Sequence, residues 1–272
     1  MDKVAILARG LGTRMRRENP TADLDTAQER IAATGVKALI PIERLKRPFL
    51  DYVLTAVAAA GYDRVCLVIG PEHCELRRYY GEELHCERLQ IDFAVQEEPR
   101  GTADAVAAVE DFAAGEPFLM LNSDNYYPVE ALAALRVLDE KGLAVFGRAG
   151  MLAGGNIPPQ RLSKFAVVET GEDGYMRRIV EKPDPAVLER LPDPVGLSMN
   201  CWRFDAGIFP ACRAIEPSPR GELEIPAAVQ YAIDTLGQSF RALHFEAAVL
   251  DLSSREDVGP VAALLQGMEV RL

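Results

Sequence analysis

A doubly wound α/β sheet, mostly parallel and with helices on both faces, is the fold that this 272-residue sequence predicts. Three observations carry the expectation. The chain opens on a buried-strand run, Lys3–Ala8, that breaks at once into Gly10-Leu11-Gly12. Apolar runs of strand length then alternate with amphipathic segments of helical period. The connections between them are short, which suits parallel strands joined by crossover helices.

Phe49–Ala60 has the 3.6-residue period of an amphipathic helix and stops at Gly61. Arg64–Ile69 is a β-branched run closed by Gly70-Pro71. Glu72–Tyr80 reads as a helix, Ile91–Val95 as a strand, and Thr102–Ala114 as an Ala/Val-rich helix ending near Gly115. Phe118–Leu121 is a strand, Val129–Lys141 a helix stopped by Gly142, and Leu143–Phe146 another strand. In the second half, Phe165–Glu169 and Met176–Val180 flank a glycine-bearing turn and form a hairpin, a small antiparallel extension. Ser198–Phe204 and Phe240–Phe245 read as strands, Ile225–Leu236 and Glu256–Leu265 as helices. No linker, low-complexity tract or repeat interrupts this rhythm. Residues 1–272 are expected to form a single domain of Rossmann-like architecture, with halves 1–147 and 148–272.

A hydrophobic content of 49% and a charged content of 26% suit a soluble globular chain. The net charge of −11 excludes a bulk electrostatic grip on nucleic acid. Anions must then be held locally, by a few placed cations, backbone N–H groups and metal ions. No run approaches the ~20 apolar residues of a membrane span, and the opening run is too short for a signal peptide. No membrane partner and a cytoplasmic location are expected. Cys66, Cys74, Cys86, Cys201 and Cys212 are odd in number and widely spaced, as reduced thiols would be. His73-Cys74 and His85-Cys86 match no common zinc spacing.

The chemistry begins at Gly10-Leu11-Gly12-Thr13-Arg14. A glycine turn after a buried strand lets backbone N–H groups approach a phosphate. The Gly-Lys-Ser/Thr of a P-loop is missing, and Met15 stands where a dinucleotide fingerprint needs glycine. Gly70-Pro71 offers no acid for a ribose, so an NAD-dependent oxidoreductase is disfavoured. Arg9, Arg14, Arg16 and Arg17 make this loop basic within an acidic chain.

Leu7-Ala8-Arg9-Gly10-Leu11-Gly12-Thr13-Arg14-Met15 resembles the L-A-[GA]-G-x-G-T-R-[LM] motif of the sugar-1-phosphate nucleotidyltransferases. Further ordered segments are similar to that family's motifs. They are Lys37-Ala38-Leu39-Ile40-Pro41, Arg47-Pro48-Phe49-Leu50-Asp51-Tyr52, and Gln96 followed by Arg100-Gly101-Thr102-Ala103. Asn122-Ser123-Asp124-Asn125, Glu181-Lys182-Pro183, Gly221-Glu222-Leu223-Glu224 and Val249-Leu250-Asp251 complete the set. The ordered motifs span nearly the whole chain.

The resemblance implies transfer of a nucleotidyl group from a nucleoside triphosphate to a sugar-1-phosphate or similar phosphorylated alcohol. Such chemistry is mainly positioning and charge neutralisation. By resemblance, Arg14 holds the leaving phosphates, Lys37 the α-phosphate and Lys182 the acceptor phosphate. Ala8, Gly10, Gly12, Thr13, Gln96, Gly101 and Thr102 bind the nucleotide, Glu181 and Asn200 the acceptor. Asp124 and Asp251 hold Mg²⁺, hard oxygen donors for a hard cation. The rival reading is a regulatory module that binds nucleotides without catalysis. Whether the chain forms a homo-oligomer stays open.

Departures from the family pattern are local. Arg9 replaces a small residue, Phe165-Ala166 replaces Tyr-Gly, and Trp202 stands in the N-x-G-[IL]-Y region, where core packing is expected of it. Arg14 and Lys37 lie 23 residues apart, a longer interval than usual, and Ala22–Ala33 within it reads as a helix. This insertion is expected to form a lid over the triphosphate.

Overall fold

The computed structural model describes residues 1–42, 46–181, 183–184 and 195–272. Strands β1 (Lys3–Leu7), β2 (Pro41–Ile42), β3 (Arg47–Pro48), β4 (Arg64–Ile69), β5 (Gln90–Val95), β6 (Phe118–Asn122) and β7 (Asn125–Tyr126) come first. They are followed by β8 (Gly142–Gly147), β9 (Ala166–Thr170), β10 (Met176–Val180), β11 (Gly196–Phe204), β12 (Arg241–Phe245) and β13 (Leu250–Asp251).

The main sheet runs β10-β9-β11-β6-β1-β4-β5, with β8 also paired to β11 and β12 to β8. β6, β1, β4 and β5 are mutually parallel. β11 turns the direction over, running antiparallel to β6, β8 and β9. β9 and β10 form the expected antiparallel hairpin. The result is the doubly wound, mixed α/β sheet of a Rossmann-like fold.

Side chains alternate across this sheet with the period of two that strands impose. Val4 and Ile6 of β1, with Leu119 and Leu121 of β6, face one core, which the helices Phe49–Ala59 and Val129–Val137 cover. Ala5, Phe118 and Met120 face the other, beneath the helices Thr102–Ala107, Ile208–Ala214 and Ile225–Asp234. Trp202 lies in this second core, fully buried, with its ring stacked 5.7 Å from that of Phe204.

Several elements differ from the sequence expectation. The helix expected over 102–114 divides into Thr102–Ala107 and Glu110–Ala113. The helix from Val129 ends at Val137, because Leu138 turns to an extended conformation. The last helix is preceded by a 3₁₀ turn, Arg255–Asp257, and spans Val258–Leu264. Helix Arg148–Gly154 was not foreseen, since two alanines and two glycines blur its period. No helix among the described residues is long and apolar enough to cross a membrane.

The insertion between Arg14 and Lys37 carries helix Thr26–Thr34, closed at its start by a capping box between Asp25 and Gln28. Ile31 and Ala32 are buried. Arg255, only 6% exposed, donates Nε–H to the Met15 carbonyl at 2.9 Å and pairs with Glu29. The segment is docked on the body of the protein through these contacts.

Candidate active site

The C-terminal ends of parallel strands are where ligands meet open α/β sheets. β1 and β6 are neighbours with Leu7 opposite Asn122, so the glycine turn and the Asp124 turn leave the sheet side by side. The Ser123 amide bonds the Leu7 carbonyl at 3.1 Å and the Ala8 amide bonds the Val68 carbonyl at 2.8 Å. Beyond that edge lies a cavity of about 320 Å³ lined by Ala8, Gly10, Gly12, Thr13, Arg14, Lys37, Gln96, Gly101, Thr102 and Asp124. A second cavity of about 540 Å³ is lined by Glu181, Asn200 and Asp251. Arg14, Asn122 and Asp124 border both. The candidate residues therefore converge from across the chain, with one exception: Lys182 lies outside the described residues.

Gly12 sits at φ +59°, and a Cβ there would meet the Gly35 carbonyl at 2.2 Å. Only glycine fits this crossing. The contact folds the far end of the insertion onto the glycine turn and brings Lys37 into the cavity. Lys37 Nζ then donates to Asp124 Oδ2 at 2.8 Å.

At the opposite end, Gln96 follows β5 and is 3% exposed. Its Nε2 donates to the Gly101 carbonyl at 3.0 Å and to Asp104 Oδ2 at 2.8 Å. Those two acceptors fix the orientation of the amide. Thr102 does not cap its own helix, whose N-cap is Gly101. Its hydroxyl instead accepts the Ile225 N–H at 2.8 Å, at the start of the Ile225–Asp234 helix. The Gly221–Glu224 motif is thereby docked against the Gly101 turn, with the Leu223 amide on the Arg100 carbonyl at 2.7 Å.

Arg9 turns away from the glycine-loop amides. Its guanidinium pairs with Glu72 at 3.3 Å and with the Gln96 carbonyl. Gly70 makes the room: a Cβ there would meet Arg9 Nε at 2.5 Å. His73 is occupied locally as well, its Nδ1 accepting the Gly70 N–H at 3.1 Å.

Asp251 reaches the site through β13, which pairs with β7 so that Asp251 faces Asn125. Asn125 Nδ2 donates to Asp251 Oδ1 at 3.2 Å. Burial pushes the Asp251 carboxyl above the ordinary carboxylate range, and the nearby Asp124 charge adds to this. The Ser253 hydrogen bond and the charges of Arg161 and Lys37 oppose that rise. Arg161, which no motif singled out, pairs with both Asp251 and Asp257.

The acceptor-side cavity is bounded by β11, which is irregular between Ser198 and Trp202. Asn200 occupies the left-handed region there, with φ +56°. Trp202 Nε1 donates to its Oδ1 at 3.3 Å, and Tyr127 holds the neighbouring Met199 carbonyl at 2.7 Å. Non-glycine residues in this conformation are strained and gather at functional sites.

Comparison with known proteins agrees with this geometry. Residues 30–270 match the nucleotidyl transferase family. A glucose-1-phosphate thymidylyltransferase of Streptomyces antibioticus is 31% identical over 271 residues, covering 99% of this chain and 68% of that protein. A glucose-1-phosphate thymidylyltransferase of Streptomyces griseus is 29% identical, covering 85% of this chain and 57% of that protein. The UTP–glucose-1-phosphate uridylyltransferase AglF of Haloferax volcanii is 24% identical over 94% of this chain and 93% of its own length. The crystal structure of a UDP-glucose pyrophosphorylase complexed with UDP-glucose shares the fold, with a TM-score of 0.74 at 19% identity over 97% of each chain. The chain belongs to the nucleotidyl transferase family.

Proposed function

We propose that this protein transfers a nucleotidyl group from a nucleoside triphosphate to a sugar-1-phosphate, forming a nucleoside-diphosphate sugar and pyrophosphate. The observation that carries the reading is the pair of cavities joined at Arg14 and Asp124. One has glycine-loop amides at one end and an immobilised amide, Gln96, at the other. The second has the carboxylate and amide groups that suit sugar hydroxyls. A phosphate oxygen of the acceptor attacks the α-phosphorus, the bond to the bridging oxygen breaks, and pyrophosphate departs.

Arg14 faces the leaving phosphates and Lys37 the α-phosphate, while Glu181 and Asn200 hold the acceptor. Lys182 is the proposed partner of the acceptor phosphate. Residues 1–147 take the nucleotide and 148–272 the acceptor, within one domain. Asp124 and Asp251 fit Mg²⁺, because two close carboxylates offer hard oxygen donors and phosphates complete the set. When bound, Mg²⁺ neutralises phosphate charge and aligns the reacting groups. The names of the relatives favour dTTP or UTP as donor and glucose-1-phosphate as acceptor. Five unpaired cysteines suit the reducing cytoplasm.

Pyrophosphate release tests the proposal, measured with Mg²⁺, glucose-1-phosphate and each of dTTP, UTP, ATP, CTP and GTP. Turnover with dTTP or UTP is expected. Thermal stabilisation by a triphosphate without turnover on any sugar phosphate would instead favour the regulatory module.

A further inference from the structure

Each of the two carboxylates proposed to hold Mg²⁺ already faces a cation of the chain itself. Asp124 has the Lys37 ammonium at 2.8 Å. Asp251 has the Arg161 guanidinium on Oδ2 and Asn125 Nδ2 on Oδ1, the latter at 3.2 Å. Arg161 is anchored from behind, because its other terminal nitrogen pairs with Asp257. Asp257 in turn accepts the amides of Ser253 and Ser254, at 3.1 and 2.7 Å, and the Ser254 hydroxyl at 2.8 Å. Both aspartate side chains are 5% exposed and the arginine 17%. A planar fork thus spans two buried carboxylates, a geometry that lysine cannot copy.

A fixed positive charge on a carboxylate repels a second cation, and burial leaves that repulsion poorly screened. We propose that Arg161 guards Asp251 against a bare divalent cation, so that the site accepts the metal only as its complex with the nucleoside triphosphate. The negative charge of the triphosphate outweighs the guanidinium, which the bare ion cannot do. The inference rests on Asp124 and Asp251 being the metal ligands. Arg161 acts through Asp251 and is therefore a positioning residue.

The test is Mn²⁺ binding, followed by electron paramagnetic resonance, in the folded wild type and in R161Q, R161K and D251N. Without nucleotide, R161Q is expected to bind Mn²⁺ roughly ten-fold more tightly than wild type, as removal of one neighbouring charge predicts. R161K keeps the charge but not the fork, and should bind Mn²⁺ more tightly than wild type but less tightly than R161Q. With dTTP or UTP present, wild type and R161Q should take up the metal alike. Should R161Q fail to fold, R161Q/D257N keeps the buried charges balanced and carries the same expectation. If R161Q without nucleotide binds Mn²⁺ no more tightly than wild type, while D251N with dTTP or UTP present binds it less, the guard is overturned and the ligand assignment stands. If, with dTTP or UTP present, D251N takes up Mn²⁺ as tightly as wild type, the ligand assignment fails, and the guard with it.

Discussion

The Lys37 ammonium and the Asp124 carboxylate meet at 2.8 Å across 87 residues of sequence. Lys37 arrives on the return limb of an insertion, Asp124 on the turn after β6. Their side chains are 14% and 26% exposed, so water still reaches the pair and its net contribution to stability is small. Replacing either group should therefore act on catalysis. Lys37→Ala and Asp124→Asn are each expected to lower kcat/KM by roughly 10²–10³-fold, the usual effect of removing a group that stabilises transition-state charge. Steady-state pyrophosphate release, with thermal unfolding as the control, checks this. Near-normal kcat/KM in both variants would remove the pair from the reaction.

Asn200 separates strain from binding. Glycine adopts φ +56° freely, so Asn200→Gly should keep stability within about 1 kcal/mol of wild type. Loss of the amide should raise the acceptor KM roughly ten-fold while leaving the triphosphate KM unchanged. Asn200→Val, β-branched in a left-handed position, should lose about 1–3 kcal/mol. Urea unfolding and two-substrate kinetics distinguish the two effects.

The insertion is expected to be a lid, and its helix is held on the body of the protein. Arg255 bonds both the Met15 carbonyl and Glu29. Amides of Thr26–Thr34 should accordingly resist hydrogen exchange in the free protein. Arg255→Ala should cost about 1–3 kcal/mol for a buried, charged hydrogen-bond donor and lose that protection. Fast exchange of the helix in wild type would contradict that docking.

Asp51 gives a pH signature remote from the candidate site. It is fully buried and accepts from Tyr80 at 2.9 Å, Tyr79 at 3.1 Å and Arg47 at 3.4 Å. Burial nevertheless pushes its carboxyl up, with the two tyrosine bonds and Arg47 opposing. A raised native pKa means the folded state holds the proton longer. This contribution is complete below the unfolded value, about 3.9, and is lost as pH rises through the native one. Lowering the pH from 7 towards 4 should therefore stabilise wild type relative to Asp51→Asn. Urea midpoints of both proteins across that range supply the comparison, and a flat difference would contradict the assignment.

The parallel half of the sheet was legible where a strand is a mostly buried apolar run stopped by a turn, as in β1, β4 and β6. Arg64–Ile69 was read to the residue. The candidate site was legible where short motifs carry it, as at Gly10–Arg14 and Asn122–Asn125. Arg161 was not, since its partners Asp251 and Asp257 stand 90 and 96 residues away and nothing local marks it. The bond from Thr102 to a second helix was not legible either, because hydroxyls near helix starts usually bond their own turn, whereas here the Ile225 amide comes to it. The two-residue strands β7 and β13 are too short to leave a period, although together they bring Asp251 beside Asn125.

The close crossing of Gly12 and Gly35 bears on how this part of the chain can change over generations. Both ends of the excursion are clamped at one point, so its length is decoupled from the spacing of Arg14 and Lys37. The entropic penalty for a longer loop grows only as the logarithm of its length, about 0.6 kcal/mol per doubling. Residues added or removed around Arg17–Asp23, before the docked helix, would leave the clamp where it is. Variation in length is therefore open to this surface, whereas a side chain larger than hydrogen at either glycine is not.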